Sequence, residues 1–160
     1  MSGTADEFTM QLVWTIPASR QQVFAAWTDA ALLTQWMNAD PAWRVSVESD
    51  ARPGGKLRSE VIGPDGSIHI TTGEYLELEP GAHFTVTHAY EGPQESSGRA
   101  PSLVTFGFSE LTADQTEVSI THSELTSEDE REGYRAGWTD LMQTLEAFCR
   151  RQVGEGASGA

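Results

Sequence analysis

The chain has 160 residues, 38% hydrophobic and 21% charged, the size and composition of one globular domain able to bury about two-thirds of the surface its unfolded form exposes. No apolar run approaches the ~20 residues of a membrane helix. A net charge of −14, from 24 Asp and Glu against 10 Lys and Arg, repels phosphate backbones and anionic lipid surfaces, so neither nucleic acid nor membrane is expected as a partner.

The first residues, Met1 to Glu7, have neither the basic start nor the apolar stretch of a secretory signal, and the expected location is the cytoplasm. From Phe8 to Ile16 apolar residues alternate with polar ones, the period-two pattern of a strand with one buried face. Pro17 ends it, Ser19 can cap a helix carrying Val23, Phe24 and Trp27, and Thr28 or Asp29 closes that helix and opens a second with Leu32, Leu33, Trp36 and Met37. Six strand-like runs follow, near 43–50, 56–62, 67–78, 83–90, 102–109 and 117–122. Turn-forming groups such as Arg52-Pro53-Gly54-Gly55, Gly63-Pro64-Asp65-Gly66 and Glu79-Pro80-Gly81 separate them, so sequential antiparallel pairing is the economical topology. The stretch 91–101 is polar and broken by Gly and Pro, and reads as a mobile loop.

From Ser127 the pattern becomes helical. Ser127 and Glu130 form a capping-box pair, and Tyr134, Trp138, Leu141, Leu145 and Phe148 recur at spacings of four, three, four and three. Arg150 and Arg151 are placed to complement the helix dipole at its end, and 153–160 reads as a disordered tail after one domain spanning 1–152. Cys149, the single cysteine, excludes an intrachain disulfide and a thiolate metal cluster within one chain. The fold expected is α+β: a curved antiparallel sheet of about seven strands wrapped around a long C-terminal helix, since each has one apolar face to bury.

The stretches Val23-Phe24-Ala25-Ala26-Trp27-Thr28-Asp29 through Leu33-Thr34-Gln35-Trp36-Met37, Asp50 to Gly55, Asp65-Gly66 with Gly73-Glu74-Tyr75, Thr116-Glu117 with Thr121-His122, and Gly137-Trp138-Thr139-Asp140-Leu141 resemble the START-like (SRPBCC) superfamily. More narrowly, they resemble its branch named for the activator of the ninety-kilodalton heat-shock chaperone's ATPase. The resemblance runs collinearly from Phe8 to Phe148. It implies a helix-grip fold whose members mostly bind hydrophobic small molecules, with a minority acting as cyclases, dehydratases or hydrolases. The eukaryotic namesake is a cochaperone with an extra N-terminal domain, and with no room for that domain in these 160 residues the cochaperone activity is not the leading expectation.

The residues themselves carry no nucleophile elbow, phosphate-cradling loop or His-Glu-x-x-His motif. His88 shares strand parity with Phe84, Val86 and Tyr90, and His122 with Val118 and Ile120, so both are candidates to point into the cup. His83 likewise lies in or beside a strand-like run. Glu48, Asp50 and Glu60 fall opposite the apolar sets of their strands and are expected outside, while the parity of Glu74 is ambiguous. No metal-ligand spacing is present, and no metal or cofactor is expected. Trp14 and Trp27 read as core. The residues expected to line a ligand cavity are Trp36, Trp43, His88, His122, Tyr134, Trp138 and Leu141. The function read from this is binding of a small hydrophobic or aromatic molecule in a cavity between the sheet and the C-terminal helix, with no catalytic residue assigned. A cyclase- or hydrolase-type enzyme and a chaperone-associated or self-associating module, including a homodimer, are the alternatives. A cavity below roughly 100 Å³ would be too small for the first reading.

Overall fold

In the computed structural model, residues 8–37, 42–93 and 100–158 are described, the last of them from 153 onward by backbone alone. The chain runs β1 (Met10–Ile16), α1 (Arg20–Thr28), α2 (Ala30–Met37), β2 (Arg44–Ser49), β3 (Lys56–Ile62), β4 (Ile68–Glu79), β5 (His83–Glu91), β6 (Ser102–Thr112), β7 (Gln115–Ser123) and α3 (Glu128–Ser158). The seven strands form one antiparallel sheet in the order β1-β7-β6-β5-β4-β3-β2. Every neighbouring pair except β1–β7 is consecutive in sequence. This is the helix-grip arrangement expected from the sequence.

Local chemistry explains the breaks. Ser19 caps α1 by accepting from the Gln22 N–H, and the Gln22 side chain returns to the Ser19 N–H. Asp29 ends α1 and caps α2, its carboxylate accepting from Ala31 and Leu32 N–H. At the start of α3, Ser127 accepts from the Glu130 N–H at 3.0 Å, but the Glu130 carboxylate takes the Thr126 N–H at 2.8 Å, so the expected box is displaced by one residue. The helix runs on to Ser158, past the boundary set at 152. Arg150 is therefore not in its last turn and instead holds Glu146 at 2.8 Å. Of the expected loop at 91–101, residues 94–99 lie outside the described residues.

Register settles which side chains share the concave face. Met10, His122, Val104, Val86 and Tyr75 stand opposite one another in a row across five strands. The next rows pair His88 with Ser102, and Tyr90 with Thr71 and Ser59. Val45, Val47, Leu57 and Val61 share that face, which puts Glu48 and Glu60 outside as their parity requires. Glu74 also faces out, bonded to Lys56 at 2.7 Å. The core beneath the sheet holds Trp27, Trp36, Phe84, Phe106, Phe108, Ile120, Met142 and Leu145. None of the described helices is long and apolar enough to cross a membrane.

Helix α3 is tied to one edge of the sheet. Trp14 donates Nε1–H to Glu146 at 2.8 Å, and Arg135 donates to the Gln11 carbonyl at 3.0 Å, both joining α3 to β1.

At Gly73, in the middle of β4, a Cβ would collide with the Thr87 carbonyl oxygen of β5 and stand 2.9 Å from a Val86 methyl. A backbone oxygen held in a ladder cannot yield. Gly73→Ala is expected to destabilise the fold by about 1–3 kcal/mol, read as a lower urea midpoint; a midpoint equal to wild type would show that β4 and β5 do not approach this closely.

Candidate functional site

Tied along β1, α3 leaves a cleft of about 790 Å³ over the far half of the sheet. On the helix side its wall is Asp129, Glu130, Gly133, Tyr134, Gly137, Trp138 and Leu141, and on the sheet side Val61, His69, Thr71, His88 and Tyr90. A second hollow of about 630 Å³ shares His88, Tyr90, Glu130 and Tyr134 with it and continues toward Ala100, Ser102 and Glu124. Four residues expected from the sequence, His88, Tyr134, Trp138 and Leu141, thus line one space.

The other three are placed differently. Trp36 is fully buried, packs edge-on against Trp27 at 5.0 Å and donates Nε1–H to the Ala26 carbonyl at 2.7 Å. It lines none of these cavities, because α2 turns its apolar face into the core rather than toward the cleft. Trp43 does not line the cleft either; its ring centroid stands 5.9 Å from that of His69, which does. His122 has no exposed surface and lies behind Trp138 and Tyr134.

His88 and His122 belong to one cluster, with ring centroids 5.1 Å apart. The hydrogen bonds of His122 fix its protonation. Trp138 Nε1–H approaches Nδ1 at 3.1 Å, and an indole nitrogen can only donate, so Nδ1 is the acceptor and Nε2 carries the proton. Nε2–H therefore donates to Ser102 Oγ at 2.7 Å, and the Ser102 hydroxyl turns to the His88 carbonyl at 3.3 Å. A serine receiving a proton from its histidine is not being activated by it. Despite the short distance, Ser102 and His122 are not arranged as nucleophile and base.

His88 differs. Its ring is walled by Tyr134 at 5.3 Å and Trp138 at 6.2 Å, yet it makes no hydrogen bond among the described residues. Burial pushes its pKa down to about 4, against a smaller upward pull from the Glu130 carboxylate. Burial, and then the neighbouring His88, push His122 down to about 3. At neutral pH the cleft therefore presents a neutral imidazole with one donor and one acceptor to offer.

Sequence reasoning missed His69. Its ring accepts or donates at both nitrogens, to Tyr90 Oη at 2.7 Å and Ser67 Oγ at 3.1 Å. Period-two parity puts His69 on the same face as Thr71 along β4, and the structure's register then sets Thr71 opposite Tyr90. Among the described residues, no group of three or more His, Cys, Asp or Glu could hold a metal ion. Cys149 is buried, which pushes its thiol up to about 11 and away from nucleophilic use.

A family model described as "Activator of Hsp90 ATPase homolog 1-like protein" matches residues 17–150. Among solved structures, one from Chromobacterium violaceum is similar at 25% identity and TM-score 0.73, covering 87% of this chain and 95% of that one. One from Mycobacterium smegmatis shares 17% identity at TM-score 0.74, covering 90% and 91%. An Hsp90 activator from Plasmodium falciparum shares 20% identity at TM-score 0.68, covering 88% and 95%. No curated protein matches the chain.

The depressed histidines make stability depend on pH. An unfolded histidine takes a proton near pH 6.5, whereas the folded chain refuses one at His88 until about 4 and at His122 until about 3. The stability they contribute is complete above about pH 6.5 and is lost as pH falls toward those values, by up to about 1.4 kcal/mol per pH unit for each. Urea titrations between pH 7 and 5 should show that slope, and His88→Phe should remove about half of it. A slope unchanged in the variant would place His88 in water.

Proposed function

This chain belongs to the Activator of Hsp90 ATPase homolog 1-like family, and we propose that it binds a small hydrophobic or aromatic molecule in the cleft between α3 and the β3–β5 half of the sheet. The observation that carries the reading is the way α3 makes room. Gly133 and Gly137 stand one turn apart on the face that lines the cleft, and a Cβ on either would meet nothing within 4 Å. Glycine inside a helix costs about 0.5–1 kcal/mol relative to alanine. Nothing in the packing requires it at these positions. The space those missing side chains leave is bordered by Tyr134, Trp138 and Leu141 for apolar contact and by His88 for one directional hydrogen bond. A volume of about 790 Å³ is in the range of small-molecule sites.

Association with a chaperone is the second reading, suggested by the family description and by the Plasmodium activator. It calls for a continuous apolar surface. The large exposed apolar side chains among the described residues are Val13, Ile68, Leu76 and Leu111, on β1, β4 and β6. None of those strands neighbours another in the sheet order, and Ile68 and Leu76 stand eight residues apart on theirs. The cleft is the better supported site.

Thermal-shift titration with neutral aromatic compounds tests this. A compound present at about 100 times its Kd should stabilise the wild-type chain by about 2.7 kcal/mol. Gly137→Leu should raise the ligand-free Tm, by restoring a good helix former, and at the same time abolish the ligand-induced shift by filling the cleft. A variant that keeps the full shift would place any bound compound elsewhere.

A further inference from the structure

We infer that the outer edge of β2 pairs with the β2 edge of a second copy of this chain, antiparallel about a two-fold axis at Ser46, and so joins two sheets into one. This goes beyond the cleft and does not depend on what the cleft binds.

A sheet edge is a row of backbone donors and acceptors, and folded chains usually cover or blunt it. At the β1 edge α3 does so, with Arg135 donating to the Gln11 carbonyl. β2 stands at the opposite end of the strand order, and no described residue makes a backbone hydrogen bond to its outward side. Arg44–Ser49 contains no proline, glycine or lysine, and its register with β3 runs unbroken by a bulge. The usual devices against edge pairing are missing from this strand.

Which groups face outward follows from the ladder. The Asp50 N–H donates to the Lys56 carbonyl on β3, so by alternation Glu48, Ser46 and Arg44 also turn their backbone groups toward β3. Val45 and Val47 present theirs to the open edge. With the axis at Ser46, Val45 of each copy meets Val47 of the other, and each such pair can exchange two N–H to carbonyl bonds without disturbing the existing ladder.

The side chains select this register. On the convex face it sets Arg44 of each copy opposite Glu48 of the other, and on the concave face it sets valine against valine. Opposite charges directly across a strand pair stabilise it, and like charges there destabilise it. Arg44 and Glu48 are both exposed, and neither side chain has an ion pair or hydrogen bond among the described residues. Arg58, the β3 residue opposite Glu48, reaches Glu60 instead at 3.3 Å. An axis at Val45 would set Arg44 against Ser46 and Glu48 against Ala42. An axis at Val47 would set Arg44 against Asp50, which Arg52 already holds at 2.8 Å. Each copy carries a net charge of −14, which opposes association until salt screens it, and one strand pair is a small interface. The dimer is therefore a reversible one.

Sedimentation equilibrium in about 0.15 M salt, where the screening length is about 8 Å, should show wild type in a concentration-dependent monomer–dimer equilibrium. Arg44→Glu and Glu48→Arg each place like charges opposite one another at both ends of the pair, and each should weaken association about tenfold. Mixed in equal amounts, the two variants meet with opposite charges at both positions and should recover the dimer as a heterodimer, which a folding defect in either could not produce. Val47→Pro removes an outward donor but no bond to β3, so it should abolish the dimer while keeping a cooperative thermal transition. Ser46→Cys tests the register. Opposed residues of this kind have Cα atoms about 4.5 Å apart, within disulfide reach. In a glutathione buffer it should cross-link far faster than Glu77→Cys, an exposed site on β4, while the native Cys149 is buried. A wild-type chain that stays monomeric at every concentration overturns the inference. So does a dimer that survives both charge variants, or a Ser46→Cys chain that cross-links no faster than Glu77→Cys. Each of those outcomes leaves the cleft reading standing.

Discussion

The bond from Trp138 to His122 is the joint on which the rest of the molecule turns. It crosses from the long helix to the floor of the sheet, and at 3.1 Å it uses the one donor that the indole has. Because that donor occupies Nδ1, the imidazole must hold its proton on Nε2 and pass it to Ser102. The buried ring is thereby satisfied at both nitrogens and kept neutral, which is what allows a histidine with no exposed surface to sit among Met10, Val104 and Ile120. Removing any one partner would leave a buried polar group unpaired, a cost of about 1–3 kcal/mol.

That joint also sets how far α3 can settle. Trp138 stands on the sheet at His122, while Trp14 and Arg135 bind the same helix to β1. The helix is thus fixed along one side of the concave face. The rows nearer β3 and β4 carry smaller or polar residues, Ser59, Val61 and Thr71, which cannot fill the remaining gap. Two helical glycines enlarge it. A cleft is the geometric remainder of a helix pinned off-centre over a curved sheet, and its position follows from which strands hold the helix.

Much of this was legible in the sequence where periodicity carries the information. The alternation of Phe84, Val86 and His88 gave both a strand and its inward face, and the four-three spacing of Tyr134, Trp138 and Leu141 gave the helix wall. What pattern cannot give is the depth at which an inward residue lies. Trp36 has the right spacing to face a cavity, but α2 sinks against α1, so its indole ends in the core, hydrogen-bonded to Ala26. Trp43 stands beside His69 without lining the cleft. His69 and Tyr90 meet only because β4 and β5 pair in one particular register, a long-range fact that no local signal in either strand contains. The helix end escaped for a different reason: Gly154 and Gly156 argue against continued helix, yet α3 runs through both.

The two histidine chains are built alike and end differently. In each, a ring with aromatic neighbours is hydrogen-bonded at Nδ1 to an aromatic side chain and at Nε2 to a serine. At His122 the aromatic donor is Trp138, whose indole has no acceptor to offer a ligand, and the serine hydroxyl ends on a backbone carbonyl. That chain is complete within the protein. At His69 the aromatic partner is a phenol, and the serine ends on a carboxylate. The two chains thus differ in what heads them, an indole at His122 and a phenol at His69. On the same wall of the cleft His88 presents a neutral imidazole, its backbone carbonyl taking the Ser102 hydroxyl. That ring carries one donor and one acceptor, whereas the α3 wall of Tyr134, Trp138 and Leu141 is largely apolar, so the two sides of the cleft differ in the chemistry they present.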